Sequence, residues 1–334
     1  MDDPVLVEVM RGGRVESAHR GSLAVVDADG ALVTAVGDID RPVFPRSAVK
    51  AIQALVLVES GAVQRFDLTQ AEIALACASH NGEPRHVETA ETMLKKAGRK
   101  PTCLECGAHW PMLDKAVHAL ARSGREPTAL HNNCSGKHAG FICAAVAMEE
   151  DPKGYIRPDH PVMADVTATL EAVCGFGLGG QRPGTDGCSI PTHAIPLRHL
   201  AHGFARFGTA QGFDTTRARA AARIREACAA EPFMVAGSGR FDTEIMTALR
   251  TRAFTKTGAE GVFCAALPEL GYGVALKVDD GATRAAQVMM AALIARHLDL
   301  SDAERAAVET AKNPHLKNWN GLDVGELRPV AGLL

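Results

Sequence analysis

The chain has 334 residues, 46% of them hydrophobic and only 4% aromatic, with a formal net charge of −3. That is ample apolar material for a core built on Ala, Val, Leu and Ile, and the near-neutral charge argues against a nucleic-acid surface. No run approaches the ~18 apolar residues of a membrane span, Met1-Asp2-Asp3-Pro4 lacks the stretches of a secretory signal, and nine scattered cysteines fit reduced thiols in a cytoplasmic protein better than a disulfide framework.

In chain order, Pro4 to Met10 reads as a strand, turned by Arg11-Gly12-Gly13. Two β-rich segments, around 14–26 and 31–36, flank Asp27-Ala28-Asp29-Gly30, and a turn ending in Asp-Gly between apolar strands signals a hairpin. An apolar helix is predicted next, opened by Pro45-Arg46-Ser47 and stopped at Gly61. Thr69 and Glu72 carry the spacing of a capping box. Helices are predicted over 84–96, 112–122, 161–173 and 215–230. The last third changes character, with strands over 262–266 and 272–278, a turn at Asp279-Asp280-Gly281 and a helix from Ala285 to about Leu298. β segments at both ends with helices between them predict an α/β (α+β) chain. Its antiparallel sheet would be built from about 1–40 and 255–334 and flanked by helices, with a mainly helical insertion over about 65–235, all in a single domain spanning 1–334.

Chemistry concentrates first at Arg46-Ser47-Ala48-Val49-Lys50. Residues three apart share a helix face, so Ser47 and Lys50 would be neighbours. A hydroxyl becomes a useful nucleophile only when something takes its proton, and a lysine amine can do so once desolvation or positive neighbours lower its pKa. N–H groups in the first turn would serve a developing oxyanion. Ser79-His80-Asn81 and Lys256-Thr257-Gly258 follow. Ser-x-x-Lys, Ser-x-Asn and Lys-Thr-Gly, in that order, are the three elements of the penicillin-recognising serine enzymes. On that pattern Ser79 relays a proton, Lys256 adds positive field and meets a substrate carboxylate, and Gly258 lets substrate approach the strand backbone.

The second focus holds sulfur. Cys134, Lys137 and His138 are spaced i, i+3, i+4, and Gly184-Thr185-Asp186-Gly187-Cys188 adds a thiol and a carboxylate on a glycine-flanked loop. Two thiols, a nitrogen ligand and one open position suit Zn²⁺, and residue chemistry alone favours His138 as the nitrogen because lysine is normally protonated. The alternative makes both cysteines small buried hydrophobes. Cys103 and Cys106, followed by His109, are the competing metal candidate, while His80, His86, His131, His160 and His193 read as loop or surface residues.

Together these segments resemble the rhizobial-type (class 3) L-asparaginases, the asparaginase II family. The resemblance rests on Arg11-Gly12-Gly13, Arg46 to Lys50, Cys77-Ala78-Ser79-His80 and Asn133-Cys134-Ser135-Gly136-Lys137-His138-Ala139-Gly140. It continues through Pro158-Asp159-His160-Pro161, Gly184 to Cys188, Met234-Val235-Ala236-Gly237 and Lys256-Thr257-Gly258-Ala259, and so covers nearly the whole chain. It implies a fold like the serine β-lactamases and glutaminases, a homodimer, and release of ammonia from L-asparagine. It further implies two Ser–Lys tandems, Ser47–Lys50 and Ser79–Lys256, with Arg46, His138 and Asp186 near the substrate, and Zn²⁺ held by Cys134, Lys137, Cys188 and water. The lysine then displaces histidine as the nitrogen ligand, because a cation stabilises the neutral amine. Phe44-Pro45 departs from the commoner pattern. Two rivals make different predictions: a penicillin-recognising hydrolase or esterase would turn over nitrocefin or p-nitrophenyl esters, and a non-enzymatic zinc or thiol protein would bind metal without releasing ammonia.

Overall fold

A computed structural model of the chain describes residues 3–333. They gather into two compact units: one is the chain up to Ala48, Ala194–Thr209 and the chain from Ala248 on, and the other is Val49–His193 with Ala210–Thr247.

Among the described residues the first unit carries an eight-stranded sheet. Its order is His315–Lys317, Asp323–Pro329, Val5–Arg11, Arg14–Asp27, Tyr272–Val278, Val262–Leu267 and Phe254–Thr257, with Leu32–Val36 branching from Arg14–Asp27. Every pairing is antiparallel, and the strands come from both ends of the chain, as the alternation of segment types predicts. Arg14–Asp27 is the pivot. Its exposed first half pairs with Val5–Arg11, and its buried second half, Gly21 to Asp27, pairs with Tyr272–Val278. Neighbouring strand residues point to opposite faces, so the unbroken burial of Val262–Leu267 means that both sheet faces are covered there. Helices Leu197–Thr209 and Thr283–His297 both contact these strands.

The second unit is helical and centred on Ser135–Ala147, buried from Ser135 through Ala145. Apart from Lys137 and His138 its residues are small or apolar, as suits a helix that belongs inside, and Gln70–Ala76, Pro84–Lys96 and Pro161–Cys174 all contact it. Gly136 sets how closely they approach, since a Cβ there would lie 2.4 Å from both Leu75 Cγ and Leu75 O. The capping box forms at Thr69 and Glu72. The predicted helices appear as Pro84–Lys96, Asp114–Arg122, Pro161–Cys174 and Thr215–Ala230.

The apolar run after Pro45 is not the single helix its composition predicts. Arg46–Val49 is a 3₁₀ turn, followed by the α-helices Lys50–Gln53 and Leu55–Glu59, and Gly61 ends the run at φ 78°. Arg46 itself sits at φ 51°, in the left-handed region that non-glycine residues rarely adopt and that recurs at functional positions. Helices Leu197–Thr209 and Asp302–Lys312 and strand Asp323–Pro329 lie where the sequence reading placed no element.

Candidate active site

In the sheet unit, Ser47 is half-buried on the 3₁₀ turn, and the Ala48 N–H donates to Pro45 O at 3.0 Å. That donor is spent inside the turn and is not open to an oxyanion. Lys256 stands on strand Phe254–Thr257, fully buried, and donates from Nζ to Thr257 O at 2.8 Å. Gly258 ends that strand against the serine turn: a Cβ there would lie 2.8 Å from Pro45 O and 3.2 Å from Ala48 Cβ. The close approach that this glycine permits is therefore made by the chain's own Pro45 carbonyl, whereas the sequence reading reserved it for substrate.

In the helical unit, Lys50 is fully buried, and its Nζ donates to Ala78 O, to Ser79 Oγ at 2.9 Å and to Cys134 Sγ at 3.1 Å. Three polar groups surround the nitrogen, so the amine is held in one place. Ser79 is held as firmly. Its N–H donates to Val235 O at 3.0 Å, that of His80 to Asn133 O at 3.1 Å and that of Asn81 to Ala236 O at 2.9 Å. The segment is thus pinned between the 133–134 turn and the 235–236 turn. His80, expected in a loop or at the surface, is buried there. Gly82 N–H donates to its Nδ1, so its proton lies on Nε2 and goes to Ser135 Oγ at 2.9 Å. Ser135 passes its own proton to Leu130 O. Both nitrogens of His80 are committed, and the ring stacks on His86, which is likewise buried rather than at the surface.

The sulfur residues lie in the same unit. Cys134, Lys137 and Cys188 are 5%, 2% and 3% exposed. Lys137 Nζ is 3.1 Å from Cys188 Sγ, and Cys134 Sγ is 3.2 Å from Asn133 Oδ1. Asn132 Oδ1 accepts from Cys134 N at 2.8 Å and shapes the turn, a role the sequence reading did not give it. Asp186 is half-buried in a loop closed by its own N–H to Ile190 O, and its Oδ1 accepts from Gly187 N–H. His138 is fully buried, with Nδ1 2.6 Å from Tyr155 OH.

With this geometry in view, a family model described as L-asparaginase II matches residues 7–329. The chain belongs to the L-asparaginase II family. Membership makes it an asparaginase-type amidohydrolase acting on a small molecule. No curated protein matches the chain. Among solved structures, a putative β-lactamase from Bacteroides dorei is similar at 15% identity and TM-score 0.38, over 77% of this chain and 84% of that one. A β-lactamase from Mycobacterium bovis is similar at 14% identity and TM-score 0.39, over 83% and 94%. Simvastatin synthase from Aspergillus terreus is similar at 12% identity and TM-score 0.38, over 78% and 86%. Likenesses this loose carry no argument about activity. No helix among the described residues is long and apolar enough to cross a membrane.

In this L-asparaginase II chain the acidities of the two thiols are pushed in opposite directions. A hydrogen bond from Cys188, then the nearby Lys50 and Lys137, outweigh burial and hold the Cys134 thiol well below its ordinary pKa. The same hydrogen bond and burial raise that of Cys188. Burial works against the Lys137 ammonium, but Cys188, Cys134 and Asp186 outweigh it and raise its pKa. Burial, reinforced by Lys137 and Lys50, keeps His138 neutral. Among the described residues no three His, Cys, Asp or Glu side chains gather as a metal site, so an ion here needs Lys137 as its third protein ligand. Two buried thiols and an amine within reach of one of them match zinc's preference for sulfur and nitrogen, so these residues fit the ion. The competing set does not assemble. The Cys106 thiol turns to Ala129 O, and His109 Nε2 accepts from Asn133 N. His138, the first choice for the nitrogen ligand, meets Tyr155 through Nδ1, and no three-residue metal group among the described residues includes it.

Proposed function

We propose that the chain is an L-asparaginase that hydrolyses the side-chain amide of L-asparagine to L-aspartate and ammonia. Ser47 Oγ attacks the amide carbon as Lys50 Nζ accepts its proton. The tetrahedral adduct collapses with transfer of a proton to the departing nitrogen, which leaves as ammonia, and an ester to Ser47 remains. Water then adds to that ester, gives up its proton to the lysine–serine network, and aspartate departs as Ser47 Oγ regains a proton. Ser79 and Lys256 carry proton traffic and maintain the positive field, Arg46 meets the substrate carboxylate, Asp186 its ammonium, and His138 donates to a substrate oxygen. Zn²⁺ held by Cys134, Lys137 and Cys188 supplies a fixed positive charge that orients the substrate. The homodimer and the cytoplasmic setting belong to the same proposal.

The observation that carries it is the fully buried Lys50 amine, 2.9 Å from Ser79 Oγ, in a chain of this family. A lysine amine buried against a serine, a carbonyl and a thiol loses its hydration, and a buried amine beside a serine hydroxyl marks a functional-site candidate. Ser47→Ala should keep its fold and lose about 10⁴–10⁶-fold of its ammonia release, as essential nucleophiles do. Retention of more than a few per cent of activity would unseat Ser47 and make Ser79 the candidate. Turnover of nitrocefin in place of asparagine would overturn the substrate assignment.

A further inference from the structure

Tyr155 belongs to no motif, yet it is fully buried and its hydroxyl meets only two polar atoms among the described residues. Glu105 N–H lies 2.9 Å away and can only donate, so the phenolic oxygen accepts from it. His138 Nδ1 is 2.6 Å away on the other side, with the two ring planes at 73°. The phenol has one proton to give, and Nδ1 is the acceptor within reach. If Nδ1 carried a proton instead, the phenolic proton would have no acceptor, and in the neutral ring Nε2 would be an unpaired acceptor as well. Donation by Tyr155 leaves a single group without a partner, the Nε2–H, and each buried polar group left unpaired is costly. Among the described residues His138 Nε2 is buried with no hydrogen-bond partner.

The placement is built, not incidental. Tyr155 sits in a turn tied back to the residues it bonds: Gly154 N–H donates to Glu105 Oε1 at 2.8 Å, while Glu105 N–H holds the phenol. His138 lies one turn along its helix from Cys134 and next to Lys137, within the stretch Ser135 to Ala145 that is buried throughout.

We propose that Tyr155 is a positioning residue: it donates to His138 Nδ1, fixes the ring as the Nε2–H tautomer, and thereby presents a buried, otherwise unpaired N–H to an oxygen of the amino-acid substrate. The second half of this rests on the amidase role given to His138 above. The first half stands alone.

The test is ¹⁵N spectroscopy of the imidazole nitrogens in the full-length protein, alongside kinetics. Wild type should show His138 protonated at Nε2 and bare at Nδ1, and added L-aspartate should shift the Nε2–H resonance. Tyr155→Phe keeps the ring and removes the proton. It should scatter His138 between tautomers and raise KM for asparagine about tenfold, with kcat within about threefold of wild type. In a His138→Gln background, where an amide N–H replaces the ring donor without needing a tautomer, Tyr155→Phe should leave KM unchanged. A wild-type ring protonated at Nδ1 overturns the proposal whatever the activity, and needs no variant that folds. A Tyr155→Phe protein with unaltered tautomer and KM overturns it too. Absence of ammonia release, with His138 protonated at Nε2, sinks the amidase assignment instead and leaves the role of Tyr155 in fixing the tautomer supported.

Discussion

Gly258→Ala tests how the Lys-Thr-Gly strand is coupled to the serine turn. Gly258 does not occupy the left-handed region, so alanine suits its backbone, and only space is at issue. The new methyl would stand 2.8 Å from Pro45 O, 2.9 Å from Val262 O and 3.2 Å from Ala48 Cβ, where an ordinary contact begins near 3.4 Å. Neither oxygen can retreat freely. Val262 O accepts the Gly258 N–H at 2.8 Å, and Pro45 O accepts the Ala48 N–H at 3.0 Å. Relief requires roughly half an ångström of backbone movement, an overpacking that costs about 1–3 kcal/mol. Thermal melting should fall by several degrees, about 2–4 °C for each kcal/mol in a domain of 150–250 residues. Displacement of the Pro45–Ala48 turn carries Ser47 with it, so ammonia release should drop about tenfold, given that a 1 Å misplacement can cost about 10². Gly177→Ala is the control, because nothing lies within 4 Å of the Cβ it would add. A Gly258→Ala protein with wild-type melting and wild-type turnover would refute the close-approach argument. A lowered melting temperature with unchanged turnover would show that the strand end does not hold Ser47 in place.

Asparagine should be preferred over glutamine by more than the ~1–3 kcal/mol that one methylene is worth, because pinned α-groups carry the longer amide away from Ser47; equal kcat/KM for the two amides contradicts this. Removing zinc with a chelator should raise KM more than it lowers kcat while the protein stays folded, and Cys188→Ser should do the same, since two thiolates blunt the ion as a Lewis acid. A collapse of kcat at constant KM would put the metal in the chemistry. Away from the site, Arg252 and then Ser301 hold the Glu304 carboxyl down at about 2, against an ordinary 4.5. A lowered carboxyl stabilises the folded state fully above its unfolded pKa and loses that contribution as pH falls. Glu304→Gln should therefore melt lower than wild type at neutral pH, and the gap should close between about pH 4.5 and pH 2. A gap of constant size across that range would count against the ion pair.

Much of the fold was legible because its signals are local. The hairpin at Asp27-Ala28-Asp29-Gly30, the Thr69–Glu72 capping box and the strands on either side of Pro268–Leu270 are set by turn chemistry, side-chain caps and periodicity within a few residues. Asp302–Lys312 carries an equally plain box at Ser301 and Glu304, so that helix could have been read from the chain. Strand Asp323–Pro329 could not: it is mostly half-exposed, and it is a strand because Val5–Arg11 offers it an edge. The sequence alone also marked Ser47, Lys50, Ser79, Lys256, Cys134, Lys137 and Cys188 as chemistry-bearing, because reactive side chains at helix spacing and beside glycines are visible without coordinates. Tertiary structure decided which of them meet. Lys50 finds Ser79 at 29 residues' separation and Cys134 at 84, Lys137 finds Cys188 at 51, and Tyr155 reaches His138 from a turn with no motif of its own. Periodicity assigns a side chain to a face. Its partner is chosen by the packing of one element on another, and Gly136, which lets its helix close on Leu75, sets that packing here.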